Sequence, residues 1–252
     1  MKKSLLAFFC LGVLAALATA EDRRPPPPNP APPPVSAAPG TKQVAAQPEL
    51  PRWVPPARGA PRMRVGAGTR SAGASKARVE VLSPESIGHT LSASPSLYWH
   101  LSDPTQARVD FTLTDDASVK PLVEQTLSGP FTAGVHRIDL TGLGVKLAPG
   151  TEYQWFVSLV PDPEERSADV VAGGGVALVD GAPLRAELDA APADEQALVL
   201  ARNGIWYDAV DTLSRRIESA PADAVARQQL AALLEQVGLS DIAAEEGAAN
   251  AP

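Results

Sequence analysis

The chain has 252 residues and a formal net charge of −7 at pH 7, but the charge is unevenly spread. Residues 23–80 carry ten Lys or Arg and two acidic residues, a net +8, whereas residues 81–252 carry ten and twenty-five, a net −15. The one cysteine, Cys10, lies near the start, so the remainder of the chain excludes a disulfide framework and a thiol nucleophile.

The first twenty residues predict a secretory signal peptide. Lys2 and Lys3 precede an apolar run over residues 4–17, and the small residues at 18–20 suit cleavage near Ala20. The run is too short to span a bilayer, and no later stretch is as apolar. We therefore expect export to the periplasm or the extracellular space, with no transmembrane span in the mature chain.

Residues 21–76 predict a Pro-rich disordered linker. Fourteen prolines fall between Pro25 and Pro61, and such runs favour polyproline II over strands and helices. Apolar residues are too sparse to offset the entropy of ordering, so a disordered or semi-rigid spacer is expected. The basic charge of this arm can contact anionic surfaces, although a solvated linker is the simpler interpretation. Nucleic acid is not expected as a partner, because no aromatic pattern accompanies the arginines.

Residues 77–182 predict an immunoglobulin-like antiparallel β-sandwich. Apolar and polar residues alternate, as in Leu97, Trp99 and Leu101 against Tyr98 and His100, and Gly and Pro break the pattern at turns. Short strands at this spacing without intervening helices are typical of a sandwich. The eight predicted strands lie near residues 79–82, 89–93, 97–102, 107–114, 119–127, 134–140, 152–160 and 169–179.

Residues 183–252 predict a tetratricopeptide-like helical appendage, packed on the sandwich or on a partner. Prolines suit first-turn positions, and Asp194 and Asp223 are candidate N-caps. An offset of 34 residues, the tetratricopeptide period, relates several positions. The related positions are Leu200, Gly204, Ile205 and Ala209, which recur as Leu234, Gly238, Leu239 and Ala243.

Five segments together resemble an uncharacterised exported bacterial family, domain of unknown function 928. The segments are residues 91–99, 147–155, 161–167, 203–209 and 233–242. The resemblance runs from about Val79 to Ile242 and implies export and a sandwich followed by helices. It implies no activity, substrate or catalytic residue. Gly173-Gly174-Gly175 departs from the family pattern of a glycine followed by an aromatic residue.

No catalytic, cofactor-binding or metal-binding residue can be assigned from the sequence. The three histidines, His89, His100 and His136, are too far apart for a zinc motif. No Gly-x-Ser-x-Gly elbow or Ser-x-x-Lys is present. The acidic loop at residues 162–169 lacks the pattern of a calcium loop and is expected to be solvated. We read the glycine run at 173–175 as a bulge or strand bend.

The aromatic residues give the best indication of a contact surface. Trp99 and Trp155 are expected in the sandwich core. Trp206-Tyr207-Asp208 opens a predicted helix, where adjacent side chains face different ways. We expect one ring to pack on the sheet and the other to be exposed or to dock on a neighbour, so these three residues form the candidate contact surface.

The function indicated is an exported, non-enzymatic interaction or scaffold module whose partner is another envelope protein. Two alternatives stay open. One is a hydrolase acting on an envelope polymer, with its site among scattered Ser, His and acidic residues. The other is a β-sandwich that carries a small ligand between its sheets.

Overall fold

Eight strands form where the alternating pattern predicts them. In this computed structural model, residues 48–56, 64–65, 77–115 and 118–248 are described, and all lie within one unit that spans residues 47–252. The predicted signal peptide and most of the predicted linker lie outside the described residues. Within the described ranges, no helix has both the length and the apolar character needed to cross a membrane.

The strands form two sheets. They are β1 (Val79–Val81), β2 (Gly88–Thr90), β3 (Ser96–Leu101), β4 (Arg108–Asp115), β5 (Val123–Leu127), β6 (Gly134–Asp139), β7 (Glu152–Val160) and β8 (Val170–Leu178). One sheet has the order β1-β3-β6 and the other the order β2-β8-β7-β4-β5. All pairs are antiparallel except β2 with β8, which is parallel and departs from the all-antiparallel prediction.

The three-stranded sheet is covered on both faces. All six residues of β3 are buried. Tyr98 and His100 lie beneath the helices, where they bond to Asp211 and Glu245. These two side chains alternate along β3 with the apolar residues, which therefore face the five-stranded sheet. The core thus includes both sheets and the helices.

The glycine run at 173–175 sits in a regular strand, so the predicted bulge is wrong. The register of β8 on β7 runs without a break from Val170 to Ala177. Neighbouring side chains occupy the space that a side chain would need at these glycines. An added Cβ on Gly173 would lie 2.7 Å from Phe156 Cε1, and one on Gly174 would lie 2.5 Å from Ser83 Cβ. These residues are glycine because their neighbours approach too closely for a larger side chain.

Five helices follow the sheets. They are α1 (Ala182–Ala190), α2 (Gln196–Arg202), α3 (Trp206–Ser219), α4 (Ala224–Gln236) and α5 (Ser240–Ala248). A single 3-10 turn at Arg166–Ala168 precedes β8. The helices share one hydrophobic core with the sheets, so they form part of the same folded unit.

The 34-residue repeat corresponds to two helix ends of the same design. Gly204 and Gly238 end α2 and α4 with φ of 76° and 74°, a left-handed conformation that glycine adopts without strain. After each glycine, the next amide donates to the carbonyl five residues before it, Ile205 to Leu200 and Leu239 to Leu234. Each glycine amide donates to the carbonyl three residues before it, which completes a Schellman motif.

One of the two predicted helix caps is confirmed. The Asp223 carboxylate accepts a hydrogen bond of 2.9 Å from the Ala226 amide and caps α4. Its pKa lies below the usual value, because the carboxylate accepts from that amide and also pairs with Arg216. Asp194 does not cap α2, whose N-cap is Glu195 and makes no side-chain capping bond.

Candidate functional site

The three residues of the predicted contact surface begin α3 and point in three directions. Trp206 and Tyr207 are buried, with exposed fractions of 0% and 1%, whereas Asp208 is partly buried. Neither ring is exposed, so of the two expected arrangements for the second ring, exposed or docked, exposure does not occur. Because the helices pack over both sheets, each ring has a neighbouring layer to cover it.

Tyr207 lies in a buried hydrogen-bond network that joins α3 to the five-stranded sheet and to Ser83, two residues after β1. Its hydroxyl donates to the Gly175 carbonyl at 2.8 Å and accepts from Trp155 Nε1 at 2.9 Å. Ser83 Oγ lies 3.1 Å away as a third partner. Burial raises the pKa of Tyr207 to about 12, so the phenol stays protonated and remains a donor. We refer to Tyr207, Ser83, Trp155 and Gly175 as the junction.

Trp206 connects the sheets to a segment that precedes them in the chain. Its Nε1 donates to the Leu82 carbonyl at 2.9 Å. The ring of Trp53 packs edge-to-face on it, with centroids 5.2 Å apart and an angle of 73° between the rings. Trp53 belongs to residues 48–56, which we name the strap.

The strap is held on α2 and α4 mainly through its backbone. Gln236 makes two hydrogen bonds to the strap backbone. Its Nε2 donates to the Pro51 carbonyl at 2.9 Å, and its Oε1 accepts from the Trp53 amide at 2.9 Å. Gln229 donates to the Glu49 carbonyl at 3.0 Å. The Val54 amide donates to the Ala201 carbonyl at 3.1 Å.

Gly204 also contributes to the fit of the strap. A Cβ at this position would lie 2.9 Å from the Val54 carbonyl oxygen. The glycine that ends α2 therefore also makes room for the strap backbone. We name the surface formed by Ala201, Gly204, Trp206, Gln229 and Gln236 the strap face.

The strap lies inside the range predicted as a linker. Residues 48–56 and 64–65 lie within the predicted linker 21–76, yet they pack on the fold. Val65 pairs with Gly173 of β8, and Arg64 donates to the carbonyls of Ser83 and Val237. Burial lowers the pKa of Arg64. The prediction used the average composition of the linker and so overlooked a Trp between prolines. The fixed φ of those prolines reduces the entropy that the segment loses on ordering.

Asp208 lines a polar cavity on the other side of α3. The cavity has a volume of about 280 Å³ and lies between α3, the segment before β3 and the turn after β6. Asp208 Oδ2 accepts from the Leu91 amide at 3.0 Å. Burial raises the pKa of Asp208, although bonds from Thr90 and Leu91 oppose the shift. Of the three predicted residues, Tyr207 and Asp208 line this cavity and Trp206 does not.

Asp211 and Arg215 extend this cavity wall along α3. Asp211 accepts from the Tyr98 hydroxyl at 2.8 Å and from Arg215 Nε at 2.8 Å. Burial, and then the bond to this carboxylate, raise the pKa of Tyr98. Ser92, Ser94 and Thr141 supply hydroxyls on the opposite side. The cavity therefore presents hydroxyls and carboxylates to a small polar molecule.

The three histidines lie in separate surroundings. His100 Nε2 is 2.7 Å from Glu245 on α5, and His136 stacks on Trp99 with centroids 4.6 Å apart. Burial lowers the pKa of His89, which lies on β2. Within the described ranges, no group of three or more His, Cys, Asp or Glu residues could hold a metal ion.

The acidic loop before β8 contains ion pairs as well as exposed carboxylates. Arg166 pairs with Asp169 at 2.7 Å and lies 3.5 Å from Asp110, which is itself paired with Arg108. Glu164 and Glu165 are exposed. The expectation of a solvated loop thus holds for these two glutamates but not for Asp169, which is bound to the protein.

Comparison with known proteins gives one family. The family model described as Domain of Unknown Function (DUF928) matches residues 65–247. No curated protein matches the chain. The match begins at Val65, where the chain first pairs with β8, and it includes the strap face. The strap itself lies outside the match.

Proposed function

The chain belongs to the Domain of Unknown Function (DUF928) family, and on that premise we propose that it is an exported, non-enzymatic interaction module. Its partner is another protein of the bacterial envelope. The strap face is the contact surface, and the ligand is an extended peptide segment. We further propose that the sheets form an immunoglobulin-like sandwich and that α2 to α5 are tetratricopeptide-like.

One observation carries this proposal: the strap, a segment without helix or strand, already lies on the strap face. The face holds it by bonds to two carbonyls from Gln229 and Gln236 and by bonds from two strap amides. Peptide-binding surfaces commonly gain affinity from main-chain bonds and specificity from pockets for side chains. Here the buried Pro51 and the ring of Trp53 take the role of those side chains.

The helical repeat supports the tetratricopeptide-like assignment. Two helix pairs, α2 with α3 and α4 with α5, are related by 34 residues and end their first helices alike. Stacked helix pairs create extended concave surfaces in repeat proteins, and the strap crosses both pairs. The sheets complete the core that two pairs alone are too few to supply.

Export rests on the sequence of the first twenty residues. The basic start, the apolar run and the small residues near Ala20 support cleavage of a signal peptide. The basic arm that follows supports a weak contact with anionic surfaces of the envelope. Mass spectrometry of the N-terminus of the protein recovered from a bacterial periplasm would test cleavage, and retention of residue 1 would contradict it.

The interaction is tested by recovery of envelope partners on the immobilised protein. Deleting residues 183–252 would remove part of the shared core, so point variants are preferable. We expect Gln229→Ala with Gln236→Ala to lose the partner that the wild type recovers. Gln228→Ala is the matched control, because this residue lies on α4 but is exposed. Equal recovery by all three proteins would contradict the strap face as the contact surface.

The polar cavity favours a second candidate, a domain that carries a small ligand. The cavity lies at the edge of the sheets beside Asp208 and has room for a small polar molecule. Native mass spectrometry of the purified protein would detect a retained molecule, and Asp208→Ala should release it. An unmodified mass in every preparation would contradict this alternative.

The hydrolase alternative has no specific support from the geometry. It predicts that hydrolysis of an envelope polymer depends on at least one of His89, His100 and His136. Activity that survives the loss of all three histidines would remove their role.

A further inference from the structure

We propose that the strap is a built-in competitor, and that its displacement opens the strap face to a Pro-x-Trp peptide of another protein. This inference rests on the proposed function and adds to it the chemistry of the partner and the way in which binding is controlled. The partner segment is extended, bounded by prolines, and carries one Trp two residues after a Pro.

The strap face does not depend on most of the strap's side chains. Gln229 and Gln236 contact carbonyl oxygens, while Gln236 and Ala201 receive backbone amides. Any peptide with the same backbone path offers these groups. Recognition of this kind is therefore transferable from the strap to an external segment.

Two positions of the strap define what the face selects. Pro51 is buried and Trp53 is partly buried against Trp206. The residues between and beside them point outward, with Leu50 at 54% and Val54 at 45% exposure and Arg52 exposed. A ligand therefore needs proline and tryptophan two residues apart, and the positions around them are free to vary.

Proline supports this selection for two reasons. A proline at position 51 lacks an amide hydrogen, so the face needs no acceptor there. It also pushes the preceding residue toward an extended backbone, which matches the path between Gln229 and Gln236. Prolines 55 and 56 have the same effect at the end of the strap.

The strap is an imperfect occupant of its own site. Trp53 Nε1 is buried and has no hydrogen-bond partner among the described residues, which weakens the contact. Seven residues, 57–63, join the strap to Arg64, which is anchored on Ser83 and Val237. A short tether gives the strap a local concentration of roughly millimolar order, so it competes well despite this defect.

The range of the family match also supports a strap that competes for the strap face. It includes α2 and α4 but begins after the strap, at residue 65. The strap face is thus part of the family domain, whereas its present occupant belongs to the segment that precedes the domain. The domain therefore has a peptide-binding face, and the segment before it occupies that face. This arrangement allows competitive control of binding.

The test uses the chain without residues 1–20 and a fluorescein-labelled peptide with the sequence of residues 47–57. Pro51→Ser with Trp53→Ser weakens the strap and should raise affinity for the peptide by roughly ten-fold or more over wild type. Adding Gln236→Ala should remove that gain, whereas adding Gln228→Ala should leave it. A peptide in which Ala replaces the Trp should bind none of the proteins.

A second measurement uses the wild type, so the conclusion does not depend on a variant that folds. Saturating peptide should speed hydrogen exchange at the amides of Trp53 and Val54, because the strap is displaced. Unchanged exchange at these amides with bound peptide would overturn the proposal, as would equal affinity of the strap variant and wild type. A concentration-dependent dimer that Trp53→Ser abolishes would overturn it in favour of strap exchange between two copies.

The inference can fail without the proposed function. Peptide binding in solution requires neither export nor an envelope partner. Loss of an envelope partner in the Gln229→Ala and Gln236→Ala protein, together with no peptide binding, would keep the interaction module and reject the Pro-x-Trp ligand. Peptide binding that depends on Gln236, with no partner recovered from the envelope, would support the inference and reject the proposed role.

Discussion

Trp206 and Tyr207 are adjacent in the chain, yet they belong to two regions that are built differently. At the junction, the Tyr207 hydroxyl has three buried partners, on Ser83, Trp155 and Gly175. At the strap face, Trp206 contacts a segment held by four hydrogen bonds to its backbone. In the part of the chain that the structure describes, Nε1 of Trp53 in this segment has no partner.

The difference separates what holds the fold from what can leave it. In the junction, loss of one group leaves other buried groups unsatisfied, which is costly. In the strap, carbonyls and amides that lose their bonds become exposed and are satisfied by water. The junction should therefore respond to substitution through stability, and the strap through local opening.

Gly174→Ala should have the largest effect on the junction. The new Cβ would lie 2.5 Å from Ser83 Cβ and 3.4 Å from Trp155 Nε1, and both residues are fully buried. We expect a loss of about 3 kcal/mol in the free energy of unfolding, measured by urea denaturation. Gly247→Ala is the control, since no described residue lies within 4 Å of its added Cβ and the substitution should cost nothing measurable. Equal free energies of unfolding for the two variants would contradict the conclusion that the junction holds the fold together.

Tyr207→Phe should be next. It keeps the ring but removes the hydroxyl that Trp155 Nε1 and the Gly175 carbonyl use, so both groups become buried and unsatisfied. We expect a loss of about 2 kcal/mol by chemical denaturation. Tyr153→Phe removes one bond from the partly buried Ala148 amide and should cost less. A larger loss for Tyr153→Phe would show that the junction is not the more demanding site.

Asp208→Asn should change how the free energy of unfolding depends on pH. Burial raises the pKa of Asp208, so the folded protein holds this proton more tightly than the unfolded chain. Stability from this group is full below the unfolded pKa, about 3.9, and is lost as pH rises through the folded pKa. Wild type should therefore lose stability relative to Asp208→Asn as the pH rises above about 4 in urea titrations. A difference that does not change with pH would contradict the raised pKa.

Gln236→Ala should have the smallest global effect. It removes the bonds to the Pro51 carbonyl and from the Trp53 amide, both in the strap. We expect the free energy of unfolding to change by less than about 1 kcal/mol, while proteolysis within residues 48–56 becomes faster. A loss as large as that of Tyr207→Phe would mean that the strap is part of the cooperative core.

The sequence predicted the local pattern well and the distant pairings poorly. All eight strands lie near their predicted positions, because half-buried strands alternate in polarity. The 34-residue relation between Gly204 and Gly238 was visible in the sequence, and both glycines end helices in a left-handed conformation. The parallel pairing of β2 with β8 leaves no local mark, since it joins residues almost ninety positions apart.

The sequence named the residues of a candidate contact surface but did not reveal what surrounds them. The sequence singled out Trp206-Tyr207-Asp208, yet it could not show that both rings would be covered. Tyr207 is covered by the sheets and Trp206 by Leu82 and Trp53. The one available signal was Trp53, a large apolar residue within a proline-rich stretch, and averaging over residues 21–76 concealed it.

The most direct test of the difference between strap and junction is native-state hydrogen exchange of the wild type. We expect the Trp53 and Val54 amides to exchange through an opening that costs at least about 3 kcal/mol less than the opening of the β7 amides. Strap and β7 amides that exchange with the same opening free energy would mean that the strap leaves only when the whole protein unfolds. That result would contradict a strap face that can exchange its occupant.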